Sequence, residues 1–218
     1  MSKRFDLLVF DWDGTLMDST AVITASLQAA CADLGLPVPT DERARHIIGL
    51  GLHDALAHVL PDVDSALYPS VAERYGHHFR IGDPATPLFD GAEDLLRDLN
   101  VRGHHLAVAT GKSRRGLNRA LTKTGLAAIF HATRCGEESS SKPHPGMLHH
   151  LIEIFGTQPE RTLMIGDTRH DLQMAKNANV PSVAAAYGAH PREQLMALNP
   201  LACADNPQEL WHWLRNNA

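Results

Sequence analysis

Phe5-Asp6-Leu7-Leu8-Val9-Phe10-Asp11-Trp12-Asp13-Gly14-Thr15-Leu16 joins a short apolar run to two carboxylates spaced i and i+2. The run has the length and composition of a buried strand. Residues two apart on an extended chain point the same way, so Asp11 and Asp13 should emerge on one side at the strand's carboxyl end. Open α/β sheets bind their ligands at that end. Like charges so placed repel and call for a cation, and a divalent ion such as Mg²⁺ suits an all-oxygen site that it shares with phosphate. Chemistry on phosphate is the first expectation.

The pattern then changes period. Val22, Ile23, Leu27, Ala30 and Leu34 recur at helical spacing, with Ser19 or Thr20 placed to cap and Gly35 to stop. From Thr40 to Gly82 the patterns are helical around 41–48, 53–60 and 66–79, with no convincing strand, which reads as an all-helical insertion. Gly82-Asp83-Pro84-Ala85-Thr86-Pro87 is a hinge-like exit from it. Thereafter helices (91–99, 114–124, 145–155, 171–178, 207–215) alternate with strands (105–109, 129–133, 161–165, 182–186), the pattern of a parallel sheet with crossover helices. The expectation is an α/β fold: a Rossmann-like parallel-sheet core (1–18 and 84–218) with a small all-helical cap inserted after the first strand (19–83).

Composition narrows the function. The chain has 218 residues, 44% hydrophobic and 21% charged, with a formal net charge of −5. That balance argues against a general nucleic-acid binder. No segment approaches the ~18 uninterrupted apolar residues of a membrane span, and acidic residues interrupt the N-terminal apolar stretch as no signal peptide would tolerate. Cys31, Cys135 and Cys203 are few and odd in number, which excludes a disulfide framework and fits a reducing cytoplasm. Nothing in the surface composition forbids a monomer, and a weak homodimer is equally open.

Three further polar sites follow apolar strands. Thr110-Gly111-Lys112-Ser113 offers a hydroxyl and a backbone N–H to phosphate oxygens near a helix start. Lys142, in Ser139-Ser140-Ser141-Lys142-Pro143, could neutralise a phosphoryl group beside a nucleophile. Gly166-Asp167-Thr168-Arg169-His170-Asp171 supplies a third and fourth carboxylate, although Asp167 or Thr168 could equally be a helix cap. Convergence of four such loops on one face is far more specific than any one of them.

In this order and spacing, Asp11-Trp12-Asp13-Gly14-Thr15, Thr110-Gly111, Lys142-Pro143 and the 166–171 segment resemble the haloacid dehalogenase (HAD) superfamily. The helical insertion after the first motif is most similar to its phosphoglycolate-phosphatase-like branch. The resemblance implies a Mg²⁺-dependent phosphatase acting on a small phosphorylated metabolite. It makes Asp11 the nucleophile that forms an aspartyl-phosphate, and Asp13 the general acid and base. Thr110, the Gly111 backbone and Lys142 would bind the phosphoryl group. Mg²⁺ would be held by Asp11, the Asp13 backbone carbonyl and Asp167, with Asp171 a further ligand or an acceptor for metal-bound water. The name-giving dehalogenases lack a carboxylate at the position of Asp13, and phosphonoacetaldehyde hydrolases need a cap lysine, whereas 20–83 contains none. A phosphomutase or pyrophosphatase on the same scaffold, or a non-catalytic HAD-fold binding protein, are the alternatives.

Other residues carry weaker expectations. Arg45, beside the Gly49/Gly51 turn, could reach a substrate anion. The pairs His77-His78, His104-His105 and His149-His150 make poor chelates and should be surface residues. His144 and His170 adjoin motif residues and could touch substrate or tune a neighbour. Trp12 should face the core or the cap, Trp211 and Trp213 should dock a terminal helix, and Lys112 has no assigned role.

Overall fold

A computed structural model describes residues 3–218. Six parallel strands form one sheet in the order β3-β2-β1-β4-β5-β6. They are β1 (Leu7–Phe10), β2 (His105–Ala109), β3 (Ala132–Arg134), β4 (Thr162–Gly166), β5 (Ser182–Ala185) and β6 (Ala202–Ala204). β1 is central because it is buried on both faces: every residue from Leu7 to Phe10 has zero exposure. Alternate residues supply two cores. Leu8, Phe10, Leu106, Val108, Leu163 and Ile165 pack under α5 (Ala92–Val101), α6 (Arg114–Thr124) and α10 (Pro207–Asn217). Leu7, Val9, Ala107, Ala109 and Met164 pack under α7 (Gly146–Phe155) and α8 (Arg169–Asn177).

Between β1 and α5 the chain is helical: α1 (Thr20–Asp33), α2 (Asp41–His46), α3 (Leu52–Val59) and α4 (Tyr68–Gly82). This insertion has its own core around Leu27, Ala44, Ile47, Leu56, Val59 and Val71. Outgoing and returning chains are tied together below it: Phe89 N–H donates to Leu16 C=O at 2.9 Å and Asp18 N–H to Pro87 C=O at 3.0 Å. The expected hinge is a 3-10 turn, Asp83–Ala85, and α6 pins it. Lys123 Nζ donates to the carbonyls of Asp83 and Thr86, and Arg119 Nε reaches the Asp83 carboxylate at 3.2 Å.

The expected elements are present, with two additions and two corrections. β6 and α9 (Arg192–Met196) were not anticipated. β6 is a three-residue edge strand of Ala-Cys-Ala, without the branched or aromatic residues that announce a strand. Ser19 stands at the N-cap position of α1 but makes no side-chain cap bond, because its hydroxyl is used by Asp13. His104 is not a surface residue: it is 3% exposed and its Nδ1–H donates to Phe5 C=O at 2.9 Å. Cys31 and Cys135 are buried and all three cysteines are free. Among the described residues no helix is long and apolar enough to cross a membrane.

The terminal helix docks as expected. Trp211 is 3% exposed, and its Nε1–H donates to Asp90 C=O at 2.8 Å, beside the left-handed Gly91 that starts α5. Trp211→Phe removes that bond and part of a buried ring, and should lower unfolding stability by about 1–3 kcal/mol. Urea denaturation of the two proteins checks this.

Candidate active site

The order 3-2-1-4-5-6 reverses direction at β1, and the crevice at the carboxyl ends of β1 and β4 is where such sheets take ligands. Asp11 follows β1 directly; its N–H donates to Ile165 C=O at 2.8 Å, extending the β1–β4 ladder one residue and setting Asp11 beside the end of β4. Asp167 follows β4. Single oxygens of Asp11, Asp167 and Asp171 all lie within 4.8 Å of one another, and all three residues are buried. Lys142 bridges two of them: its Nζ is 2.7 Å from Asp11 Oδ1 and 2.6 Å from Asp171 Oδ1, with no exposed side-chain surface.

Each carboxylate is held by its own donors. Asp167 accepts Thr15 Oγ1–H at 2.8 Å on one oxygen and Ala189 N–H at 2.7 Å on the other. A Cβ at Gly14 or Gly188 would overlap its carboxyl group, and Gly14 also has φ +83. Asp171 forms a capping box with Thr168 at the start of α8, accepting Thr168 Oγ1–H at 2.6 Å and Thr168 N–H at 3.1 Å. The cap reading was therefore right for Thr168, and it also orients Asp171. Asp167 is not the cap.

Asp13 sits apart from this cluster. Its Oδ1 accepts Ser19 Oγ–H at 2.8 Å, and Lys112 Nζ lies 2.8 Å from both of its oxygens. Lys112 thus acquires a contact that the sequence did not assign. Asp11, Asp13, Thr110, Gly111 and Lys112 line one cavity of about 240 Å³, together with Ile47, Ile48, Gly49 and Leu50 of the insertion. Lys142, Asp167 and Asp171 stand behind Asp11. The turn at Gly49 does come down on the site: a Cβ on Gly111 would overlap the Leu50 carbonyl oxygen, and Gly51 N–H donates to Ser141 Oγ at 2.8 Å.

Three residues singled out as possible substrate contacts lie elsewhere. Arg45 lines a different cavity, with His46, His58 and His190, because α2 turns that face away from Asp11. His144 is exposed and its Nδ1 accepts Gly146 N–H at 3.1 Å. His170 donates through Nε2 to His46 C=O at 2.8 Å, joining the insertion to the core rather than facing the cavity. Sequence reasoning missed the roles of Thr15, Ser19 and the Gly188-Ala189 turn. Ser19 and Thr15 stood inside the first motif and were legible as hydroxyls there; Ala189 acts through backbone and left no signal.

Three carboxylates share one ammonium. Burial pushes Asp11 up to about 7 in spite of Lys142, and burial with Asp11 and Asp171 nearby holds Asp167 well above the carboxylate range. Burial works against the Lys142 ammonium, but Asp11 and Asp171 outweigh it and raise its pKa. Asp11 Oδ2 is buried and has no hydrogen-bond partner among the described residues. An all-oxygen donor set with surplus negative charge and an unpartnered carboxylate oxygen fits a hard divalent cation.

The chain matches the haloacid dehalogenase-like hydrolases over residues 8–185. It is 32% identical to a protein of Dickeya dadantii named "Probable phosphatase IndB", over 94% of this chain and 91% of that one. It is 29% identical to the phosphoglycolate phosphatase of Aliivibrio fischeri, over 94% of both. A crystal structure from Haemophilus somnus, titled as a predicted phosphoglycolate phosphatase, superposes with a TM-score of 0.86 at 24% identity, over 99% of both chains. The chain belongs to the haloacid dehalogenase-like hydrolase family. Within it the chain falls in the phosphoglycolate-phosphatase-like branch and is an enzyme of the phosphatase kind.

The raised Asp11 carboxyl has a consequence for stability. A group raised from 3.8 to about 7 on folding favours the folded state fully below the lower value, and that contribution disappears as pH rises through the upper one. The metal-free protein should therefore lose melting temperature between about pH 4 and pH 7 more steeply than an Asp11→Asn variant does. A divalent cation should restore stability at neutral pH to the native protein more than to the variant. Calorimetric melts across that range check both, and parallel slopes would count against the buried-charge account.

Proposed function

We propose that the protein is a Mg²⁺-dependent phosphomonoester hydrolase that acts on a small, phosphoglycolate-like phosphorylated metabolite through an aspartyl-phosphate on Asp11. The observation that carries this reading is the state of Asp11: Lys142 grips one oxygen at 2.7 Å, while the other is unpartnered and the residue lines the cavity. A carboxylate so held is oriented to attack, and Lys142 offsets the charge of the phosphoryl group brought to it.

The steps follow from the residues. An Asp11 oxygen bonds to phosphorus in line as the ester P–O bond breaks, and Asp13 gives its proton to the departing alkoxide. Asp13, now a carboxylate, takes a proton from water as the water oxygen attacks phosphorus and the Asp11–phosphorus bond breaks, releasing phosphate. Ser19 and Lys112 hold the Asp13 side chain on the cavity side, away from the carboxylate cluster. That is where a proton carrier that must be reprotonated each turnover belongs. Thr110 and the Gly111 backbone bind the phosphoryl oxygens. Asp11, Asp167 and the Asp13 backbone carbonyl, with Asp171 as a further ligand or an acceptor for metal-bound water, would hold Mg²⁺, which would supply positive charge to the phosphoryl group.

In this reading 1–18 and 84–218 form the catalytic core and 19–83 a cap that excludes water and meets the leaving group. The Leu50 carbonyl against Gly111 and the Gly51 bond to Ser141 support a closed arrangement of the two. The protein acts in the cytoplasm as a monomer or weak homodimer.

Phosphate release from a panel holding phosphoglycolate, sugar phosphates, nucleotides, pyrophosphate and an aryl phosphate should require Mg²⁺ and vanish in Asp11→Asn. Asp13→Asn should lose about 10²–10⁴-fold in kcat. No release from any member by folded, Mg²⁺-loaded protein would sink the reading. Transfer to a second substrate that depends on a bisphosphate activator would replace it with a mutase.

A further inference from the structure

We infer that the cavity selects phosphomonoesters whose leaving group has an apolar, ring-sized body and a second anion at its far end, with Arg80 and Arg115 taking that anion. This rests on the phosphatase chemistry of that reading and replaces its phosphoglycolate-like leaving group with a larger, apolar one.

The cavity changes character away from Asp11. Beyond Asp13, Thr110 and Lys112 its walls include Ile23, Ile48 and Phe79, each 3–7% exposed, with Leu50 and Tyr75 beside them. Such walls hold hydrocarbon or an aromatic face, and leave the hydroxyls of a sugar unpaired. Two exposed arginines, Arg80 of α4 and Arg115 of α6, line the same cavity. Among the described residues neither makes an ion pair, whereas Arg74, Arg97, Arg102 and Arg114 each hold a carboxylate elsewhere on the surface. Arg119, one turn from Arg115, is already committed to Asp83.

Two glycines support the assignment. Gly76 and Gly116 lie inside α4 and α6, line the cavity, and have no positive φ that would demand glycine. Glycine inside a helix lowers its stability relative to alanine, so the space it leaves is the relevant property. A Cβ at Gly76 would stand 3.3 Å from Arg80 Nη1, and one at Gly116 would stand 3.1 Å from Lys112 Cγ. The absent side chains leave the Arg80 guanidinium lying back along α4 and the Lys112 stem lying against the first turn of α6, beside the cavity. Guanidinium groups pair in the same forked geometry with carboxylate and with phosphate, so the distal anion is defined by charge, and the two kinds are tested separately.

The test compares four phosphomonoesters: phenyl phosphate, 4-carboxyphenyl phosphate, 1,4-phenylene bisphosphate and phosphoglycolate. Each is measured as kcat/KM with Mg²⁺, on the native protein and on an Arg80→Gln/Arg115→Gln variant. The variant corrects for differences in leaving-group acidity. At least one aryl ester with a distal anion should be preferred over phenyl phosphate by about tenfold or more beyond its ratio in the variant, the factor expected of a hydrogen bond to a charged group. Whether the carboxylate or the phosphate gains more identifies the anion. Equal ratios in native and variant proteins overturn the assignment to these arginines. Preference for phosphoglycolate over 4-carboxyphenyl phosphate overturns the apolar body. Calorimetric binding of phenyl and 4-carboxyphenyl phosphate to the Asp11→Asn protein separates this inference from the chemistry. If the native protein releases no phosphate at all, the phosphatase reading fails, yet tighter binding of the carboxylated ester upholds the subsite and equal binding overturns it.

Discussion

The bridge from Lys142 to Asp11 and Asp171 is the contact on which the site depends. Like charges a few ångströms apart repel strongly in a protein interior, and one ammonium cannot neutralise three buried carboxylates. The fold tolerates the excess by giving each carboxylate fixed donors: Thr15 and Ala189 for Asp167, the Thr168 box for Asp171, and Lys142 for Asp11. Among the described residues Asp11 Oδ2 is buried without a donor and makes no ion pair, and Asp11 belongs to the same cluster. Such a site is organised before any ligand arrives, which is the condition for electrostatic stabilisation without reorganisation.

Close approach is the second constraint, and it explains why several motif positions are glycine. Thr110-Gly111 reads in sequence as a backbone for phosphate oxygens. The structure adds another reason, since a Cβ on Gly111 would collide with the Leu50 carbonyl of the insertion, and one on Gly136 would crowd the Gly111 carbonyl. The same residue therefore lines the cavity and forms the seam along which the insertion meets the core. Gly14, Gly166 and Gly188 do the corresponding service around Asp167 and Asp171.

The strands that carry the site were legible because their signals are local. β2 and α6 fall at the expected residues, and β1 and β4 end where Asp11 and Asp167 begin. Edge elements were not legible: β6 and α9 are held by neighbours rather than by their own pattern. Within the site, residues that act by side chain at a strand end could be read, but partners set by three-dimensional return of the chain could not. Lys112 reaches Asp13 across 99 positions, and Ala189 contributes only an N–H. Arg45 shows the opposite error. Its proximity in sequence to the Gly49 turn was real, yet one helical face decides between two cavities, and a six-residue helix carries too little periodicity to reveal which face is turned inward.

The cavity is built across two elements with different attachments. α6 belongs to the sheet layer and carries Lys112's neighbours, Arg115 and Arg119; α4 belongs to the insertion and carries Tyr75, Phe79 and Arg80. Lys112 Nζ lies 4.7 Å from the Phe79 ring centroid and Arg119 lies 6.0 Å from it, so an aromatic of the insertion rests against cations of the core. Immediately beyond α4, Asp83 is bound to Arg119 and its carbonyl to Lys123. The exit of the insertion, its apolar wall and the cations facing that wall are thus fastened to a single helix. Phe79 of the insertion thus rests on Lys112, the core cation that with Ser19 holds Asp13, so the apolar wall of the cavity and the placement of Asp13 share one contact.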